Sequence, residues 1–177
     1  MSLAYLRDDP VVVPKCLYDG LLSEIRRRMP QKCFGYLLAD PGAQVPSDFI
    51  MFEGNARNEE PWNSRFEARG QYFVEHDDAG FVATPEETWR VEREILSRGL
   101  EEVAVFHSHQ RHPANFSSID YELHLQNFRT LWHLIISIRN PSLPQVRAFA
   151  VSTEGVRERP LQLDPGPREL RNDTHEF

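Results

Sequence analysis

Residues 105–124, VFHSHQRHPANFSSIDYELH, decide how this chain folds, and they bring four histidines and one aspartate into twenty positions. The apolar residues before the first histidine predict a buried β-strand. The segment that starts at Ser117 predicts a helix with a serine as its N-cap. A polar loop separates the two, so this stretch predicts a strand, a reversal of the chain and a helix in succession.

The histidines and the aspartate of this stretch have the spacing of metal ligands. His107 and His109 stand two positions apart, so both imidazoles project from the same side of a strand. Asp120 follows in the first turn of the helix, and the loop is long enough to return its carboxylate to the same point. Two neutral nitrogens and one carboxylate, with a fourth position for water, form a catalytic zinc site. We therefore predict that His107, His109 and Asp120 bind Zn²⁺.

A polar strand end at the surface would account for a lone His-x-His, but the spacing here continues further. The order is His107-Ser108-His109, seven residues, Ser117, two residues and Asp120. This is the signature H-[ST]-H-x7-S-x-x-D of the JAMM (MPN+) metallopeptidases. At this register the chain resembles the small single-domain prokaryotic members of that family over most of residues 10–163.

This resemblance implies a fold and a catalytic residue. The expected fold is a single JAMM/MPN-like (cytidine-deaminase-like) α/β domain, with a mixed curved sheet flanked by helices. Ser117 matches the family position that helps to stabilise the oxyanion, so the resemblance makes it catalytic. A simple helix N-cap is the alternative role for Ser117, and one hydroxyl can serve both.

The elements along the chain agree with one α/β domain. Several neighbouring strands are joined too tightly for parallel crossovers, which predicts a mixed sheet. We place the domain at residues 1–163 and expect a loosely ordered tail over 164–177. The predicted strands cover 10–14, 33–39, 48–54, 72–76, 102–109, 132–138, 145–152 and 156–163; the predicted helices cover 15–30, 84–99 and 117–130; and 54–71 is predicted to be a long surface loop.

One position departs from the family in a way that affects the chemistry. The family carries a glutamate in the pattern P-x-E-x-C-G-[LVF]-L, and this glutamate acts as general base. Here the stretch reads MPQKCFGYLLA, and anchoring it on Pro30 and Gly35 puts Lys32 at that position. A protonated lysine cannot accept a proton and repels a metal cation. We expect Lys32 to point away from the metal or to bind an anionic group.

Three explanations of Lys32 stay open. The substitution inactivates the enzyme and leaves a metal-loaded protein that still binds its partner. Alternatively, another carboxylate acts as the base, such as Glu53, Glu59 or Glu60. In the third explanation the alignment shifts locally, and the protein does other work.

Other residues near the signature have weaker predicted roles. Phe116 stands where the family usually has proline before the serine, and we expect it to wall the substrate groove. We interpret His112 as solvent-exposed, and His124 and His133 as scaffold or surface residues.

The composition argues against several classes of binding partner and several cellular locations. The net charge of −7 argues against nucleic acid or an anionic membrane as a partner. No apolar run approaches the roughly 20 residues that span a bilayer. The chain shows no signal peptide, and Cys16 and Cys33 stand outside any CxxC spacing. These features predict a reduced, cytoplasmic protein.

The resemblance also implies a function. It predicts a zinc-dependent isopeptidase or peptidase that acts on the Gly-Gly tail of a ubiquitin-like or sulfur-carrier protein. The tail would add a strand to an exposed sheet edge, near Asn55 and the loop 54–71. The alternative is a catalytically impaired, MPN-like metal-binding interaction module, which Lys32 favours and the complete ligand set disfavours. A homodimer is compatible with either function.

Overall fold

The computed structural model describes residues 9–128 and 131–166, and within them the chain forms eight strands and five α-helices. The strands are β1 (Val11–Pro14), β2 (Phe34–Ala39), β3 (Asp48–Met51), β4 (Glu101–His109), β5 (Trp132–Ser137), β6 (Gln145–Ser152), β7 (Gly155–Arg159) and β8 (Leu161–Asp164). The helices are α1 (Lys15–Arg27), α2 (Trp62–Glu67), α3 (Gln71–Glu75), α4 (Pro85–Arg98) and α5 (Ser118–Asn127).

Six strands form one mixed sheet in the order β3-β2-β4-β5-β6-β7. β4 and β5 run parallel, whereas each of the other neighbouring pairs is antiparallel. The connection from β4 to β5 contains α5, as expected for a crossover between parallel strands. The predicted α/β domain with a mixed sheet flanked by helices is confirmed.

Helices cover both faces of this sheet. Apolar side chains are therefore buried on both faces of β4. On one face, Leu21 and Ile25 of α1 pack with Phe106. On the other face, Val91 of α4 packs with Val105. Because side chains alternate along a strand, the two histidines at the end of β4 share the face of Val105.

β1 and β8 form a separate parallel pair outside the main sheet. Val11 and Val13 of β1 are buried against the core that α1 covers. The prediction of one strand over 156–163 is wrong, because Pro160 separates β7 from β8. Proline has no N–H to donate to a sheet ladder, so the chain leaves the main sheet there and pairs with β1.

The segment 54–76 differs most from the sequence-based expectation. The stretch 72–76, predicted as a strand, lies in α3 and its C-cap, where the rings of Tyr72 and His76 stack at 4.2 Å. Its backbone bonds within the helix and needs no neighbouring strand. The predicted loop 54–71 contains α2 and a 3-10 turn at Ala56–Asn58.

The ends and the helix lengths complete the description. Of the predicted tail 164–177, residues 167–177 lie outside the described residues, and Asp164 is the last residue of β8. The longest helix, α4, has 14 residues. No helix within residues 9–128 and 131–166 has the length and hydropathy needed to cross a membrane.

Candidate metal centre

The end of β4 and the first turn of α5 meet at the three predicted ligands. His107 and Asp120 are buried, and the side chain of His109 is 11% exposed. Nε2 of His107 lies 2.9 Å from Nε2 of His109 and 3.3 Å from Oδ1 of Asp120. Nε2 of His109 lies 3.9 Å from Oδ2 of Asp120. The structure thus brings together the three residues that the spacing singled out.

Hydrogen bonds determine which nitrogen of His109 faces this point. Its Nδ1 lies 2.8 Å from the carbonyl oxygen of Pro113. A carbonyl oxygen can only accept, so Nδ1 carries the hydrogen and the lone pair of Nε2 is directed at His107 and Asp120. Burial lowers the pKa of both His107 and His109, and the nearby charge of Lys32 lowers each further. Both imidazoles are therefore neutral near pH 7, the form that binds metals.

The ligand atoms of this group fit a divalent cation. One nitrogen from His107, one from His109 and one oxygen from Asp120 lie within 4.8 Å of one another. Two ring nitrogens and a carboxylate oxygen surround one point, and each can direct a lone pair at a cation there. Two imidazoles and one carboxylate are a common zinc ligand set.

Ser117 and Asp120 form a capping box at the start of α5. Oγ of Ser117 accepts from the backbone N–H of Asp120 at 3.2 Å and donates its hydrogen to Oδ2 of Asp120 at 2.6 Å. The backbone N–H of Ser117 donates to the same Oδ2 at 3.0 Å. Ser117 therefore acts as the N-cap and orients the carboxylate, while its catalytic role stays a prediction.

A cavity of about 430 Å³ opens beside the predicted ligands. Its wall includes His109, Ser117 and Asp120 together with the segment 78–80. Lys32 also lines this cavity, so it does not point away from the site. Residues from β4, the loop before α5 and the segment after α3 thus share one space.

The ammonium group of Lys32 is hydrogen-bonded to the segment 78–80. Its Nζ donates to the carbonyl oxygen of Asp78 at 3.0 Å and lies 5.7 Å from the ring centre of Phe81. Burial lowers the pKa of Lys32, whereas the charges of Asp120 and Asp78 act to raise it. Of the two alternatives expected for Lys32, pointing away is wrong, because its ammonium group donates to a carbonyl oxygen within the site. The charges of Asp120 and Asp78 that act on it fit the other alternative, an anionic partner.

The three carboxylates considered from sequence as replacement bases are not among the residues that line this cavity. The side chain of Glu53 is 64% exposed and pairs with Arg28 at 3.2 Å. Glu59 is exposed, and Glu60 accepts a hydrogen bond from Ser64. Each of these three glutamates is therefore exposed to solvent or bonded to a neighbouring surface side chain.

A chain of imidazoles behind His107 was not anticipated from sequence. Nδ1 of His107 lies 2.6 Å from Nε2 of His133, and Nδ1 of His133 lies 3.0 Å from Nδ1 of His124. All three are buried, so His124 and His133 belong to the scaffold and not to the surface. The apolar residues around His133 in WHLIISI were a signal of its burial.

Two further expectations near the signature are wrong. Phe116 does not line the cavity; its ring packs on His133 at 5.0 Å and on Phe149 at 5.2 Å. It fills space behind the ligands because Phe149 and His133 offer an apolar surface there. His112 is half-buried and lines the cavity, since the loop before α5 folds back over the end of β4.

A second cavity of about 380 Å³ adjoins the first and shares Lys32, Asp78 and Gln110 with it. Asn55 lines this second cavity. Its Oδ1 accepts from the backbone N–H groups of Arg57 at 3.1 Å and Val82 at 2.9 Å. Asn55 thus fixes the local backbone, while tail binding near it stays a prediction.

Comparisons with known proteins agree with the fold. A family model described as prokaryotic homologs of the JAB domain matches residues 14–152. The solution structure of protein DSY2949 from Desulfitobacterium hafniense is similar, with 21% identity over 94% of this chain and 99% of that chain and a TM-score of 0.64. The solution structure of a protein from Salinibacter ruber is similar with 21% identity over 89% of this chain and 92% of that chain and a TM-score of 0.52. At this identity the two structures show the fold alone. The comparison with curated proteins gave no match.

Proposed function

The chain belongs to the prokaryotic homologues of the JAB domain, and from this premise we propose a zinc-dependent isopeptidase or peptidase activity. Its substrate would be the C-terminal tail of a ubiquitin-like or sulfur-carrier protein. The observation that carries the proposal is the convergence of His107, His109 and Asp120 beside one cavity. All three lie within residues 14–152, the range that the family model matches.

His107, His109 and Asp120 would hold the zinc ion, and the surrounding residues prepare them for it. When bound, zinc polarises a substrate carbonyl and lowers the pKa of water. The Pro113 carbonyl orients the ring of His109, and the backbone N–H of Ser117 orients the carboxylate of Asp120. The hydroxyl of Ser117 would turn from Asp120 to a substrate oxygen as negative charge develops on it.

The two adjoining cavities support an extended substrate. The second cavity is lined by the segment 52–55, which directly follows edge strand β3. A tail that pairs with this edge would reach the metal ligands past Lys32 and Asp78, which line both cavities. This path would present one peptide bond at a time to the ligands.

Metal analysis tests the site itself. Purified protein is expected to contain about one zinc per chain, and His107→Ala or Asp120→Ala should lose it. His112→Ala is the matched control, because His112 lines the same cavity without belonging to the ligand group. Metal-free protein that takes up no zinc with all three ligands intact would contradict the proposal.

Cleavage assays test the activity. The substrates are fusions in which a ubiquitin-like or sulfur-carrier protein ends in Gly-Gly followed by an extension or an isopeptide adduct. We expect zinc-loaded wild type to release the carrier, and His109→Ala to be inactive. If neither wild type nor Lys32→Glu cleaves any fusion, the proposed activity is wrong.

Lys32 is the specific observation that favours the second candidate function, a metal-binding interaction module. It stands at the family's glutamate position and lines the metal cavity. That candidate predicts zinc-loaded wild type that binds a carrier tail in calorimetry and leaves it intact. Lys32→Glu would then gain cleavage, because it restores a carboxylate at the position of the base.

A further inference from the structure

We propose that Asp78 is the proton-transferring carboxylate of this site and takes the role that the family gives to the glutamate replaced by Lys32. The inference rests on the proposed function and names a residue that sequence spacing did not single out. It concerns a residue 42 positions before Asp120, on the segment between α3 and α4.

The location of Asp78 is the first argument. Among the described residues that line the metal cavity, the acidic ones are Asp78 and Asp120. Asp120 is engaged, because its Oδ2 accepts from both the N–H and the hydroxyl of Ser117. The lining therefore leaves Asp78 as the carboxylate available for proton transfer.

The second argument is an unpaired oxygen. Oδ1 of Asp78 is buried and has no hydrogen-bond partner among the described residues. A buried carboxylate oxygen without a donor costs free energy, and a water molecule in an adjacent polar cavity can supply the donor. A cavity of about 430 Å³ has ample room for such a water. A water that Asp78 holds in this cavity would be the attacking group of the proposed reaction.

The third argument is that neighbouring side chains hold the segment 73–80 in place. Arg57 is buried and donates from Nη2 to the carbonyl oxygen of Phe73 at 2.7 Å and from Nε to that of Ala79 at 3.0 Å. Lys32 donates to the carbonyl oxygen of Asp78 itself. Lys32 is then a positioning residue, which anchors the backbone of the base without transferring a proton.

Gly80 completes the arrangement of this segment. Its φ is +88°, and a Cβ at this position would lie 2.5 Å from the ring of Phe66. The chain can therefore turn closely beside Phe66 only with glycine here. A base on such a held segment is pre-organised, as proton transfer requires.

The reaction step balances with one water molecule. Asp78 accepts a proton from the water molecule while the oxygen of that water bonds to the substrate carbonyl carbon. The carbon–nitrogen bond then breaks, and Asp78 delivers that proton to the leaving nitrogen. The products are a carboxylic acid and an amine, and Asp78 returns to its starting form.

The test compares Asp78→Asn with Glu75→Gln in zinc-loaded protein. Asn keeps the shape of the side chain but cannot accept the proton, so kcat/KM should fall at least about 100-fold. Zinc content should stay at about one per chain, because Asp78 is outside the ligand group. Glu75 is exposed, accepts a hydrogen bond from Gln71 and is not among the described residues that line the cavity, so Glu75→Gln should keep full activity.

A readout independent of turnover follows the carboxyl group directly. In protein with ¹³C-labelled aspartate, the side-chain carboxyl signal absent from Asp78→Asn should shift when zinc is added. The carboxyl signal of Asp48, which pairs with Arg98 at the end of β3 that is remote from His107, should stay unchanged. An Asp78 signal that does not respond to zinc contradicts the inference.

The outcomes separate this inference from the proposed function. If wild type cleaves and Asp78→Asn cleaves equally well, the inference is wrong while the proposed function stands. If Asp78→Asn loses zinc, Asp78 is a ligand and the inference is also wrong. If wild type is inactive and Lys32→Glu is active, proton transfer belongs to position 32 and Asp78 is not the base. If both are inactive, the proposed function fails and the inference with it.

Discussion

At the scale of single residues, the imidazole of His107 shows how the interior prepares a ligand. If Nε2 of His107 binds a metal, its Nδ1 carries the hydrogen and donates to Nε2 of His133, 2.6 Å away. Nδ1 of His133 in turn lies 3.0 Å from Nδ1 of His124. The chain of imidazoles thus sets the tautomer and the orientation of the ligand.

This contact yields a prediction about His133. Replacing His133 with Leu removes the acceptor for His107 while keeping a side chain of similar size. We expect zinc affinity to fall by about 10- to 100-fold, measured by competition with a chelator at constant pH. His76→Leu is the control, because His76 lies outside this chain of imidazoles. Equal affinities of the two variants would contradict the orienting role.

A second residue-scale prediction concerns the pH dependence of stability. Burial lowers the pKa of His124 to about 4, whereas a histidine in the unfolded chain titrates near pH 6.5. Between these values the unfolded state binds more protons, so stability is complete above pH 6.5 and falls as the pH is lowered. The contribution of His124 is about 3 kcal/mol in total.

Urea unfolding of the metal-free protein at pH 7.5 and pH 4.5 measures this effect. His124→Gln should lose less stability than wild type between the two pH values, by about 2 kcal/mol or more. His112→Gln, with a half-buried histidine, is the comparison. An unchanged pH dependence in His124→Gln would show that His124 does not stay neutral in the folded protein.

At the scale of elements, the first turn of α5 contributes both to the stability of the helix and to the predicted metal site. The capping box of Ser117 and Asp120 satisfies backbone groups of the first turn and aligns the carboxylate. Ser117→Ala removes the side-chain cap and should lower the free energy of unfolding by about 1 kcal/mol. Ser117→Thr keeps a capping hydroxyl and should lose less stability.

Catalysis separates the two roles of Ser117. If its hydroxyl also stabilises the oxyanion, Ser117→Ala should lower kcat by about 100-fold or more. Urea unfolding and cleavage kinetics on the same samples give both quantities. A loss of stability without a loss of kcat would leave Ser117 as a helix cap alone.

At the scale of the whole molecule, the pairing of β1 with β8 joins the two ends of the described fold. Val11 and Val13 are buried against the core beneath α1, and Leu161 and Leu163 of β8 pack against the same core. A variant that ends at Pro160 lacks β8 and should unfold at lower urea concentration than one that ends at Gly166. We expect a difference of roughly 3 kcal/mol, because the valines lose part of their burial. Equal midpoints would show that β1 is stable without its partner strand.

Several elements were predictable because their signals are local. Thr84 caps α4 by accepting from the backbone N–H of Glu87, and Gly99 ends the helix at a φ of 67°, as the sequence TPEETWRVEREILSRG indicated. The prediction of a strand at 72–76 was wrong, because aromatic and β-branched residues favour a strand only where a partner strand is available. Pro160 indicated an interruption of the last predicted strand, but the pairing of β8 with β1 became visible only in the structure.

The sequence alone predicted His107, His109 and Asp120 as one group of candidate metal ligands, since His-x-His on a strand and an aspartate in a helix's first turn depend on periodicities of two and 3.6 residues. Through the resemblance to the family, it also predicted that Lys32 stands at the position of the family's glutamate. The surroundings of these three side chains, in contrast, depend on tertiary contacts between distant segments. Asp78, Lys32, His133 and Arg57 come from distant segments, and no local period relates them to His107. The order of strands in the sheet and the return of the segment 73–80 bring Lys32 and Asp78 to one cavity. His133 contacts His107, and Arg57 holds the segment 73–80, because buried polar groups must satisfy one another.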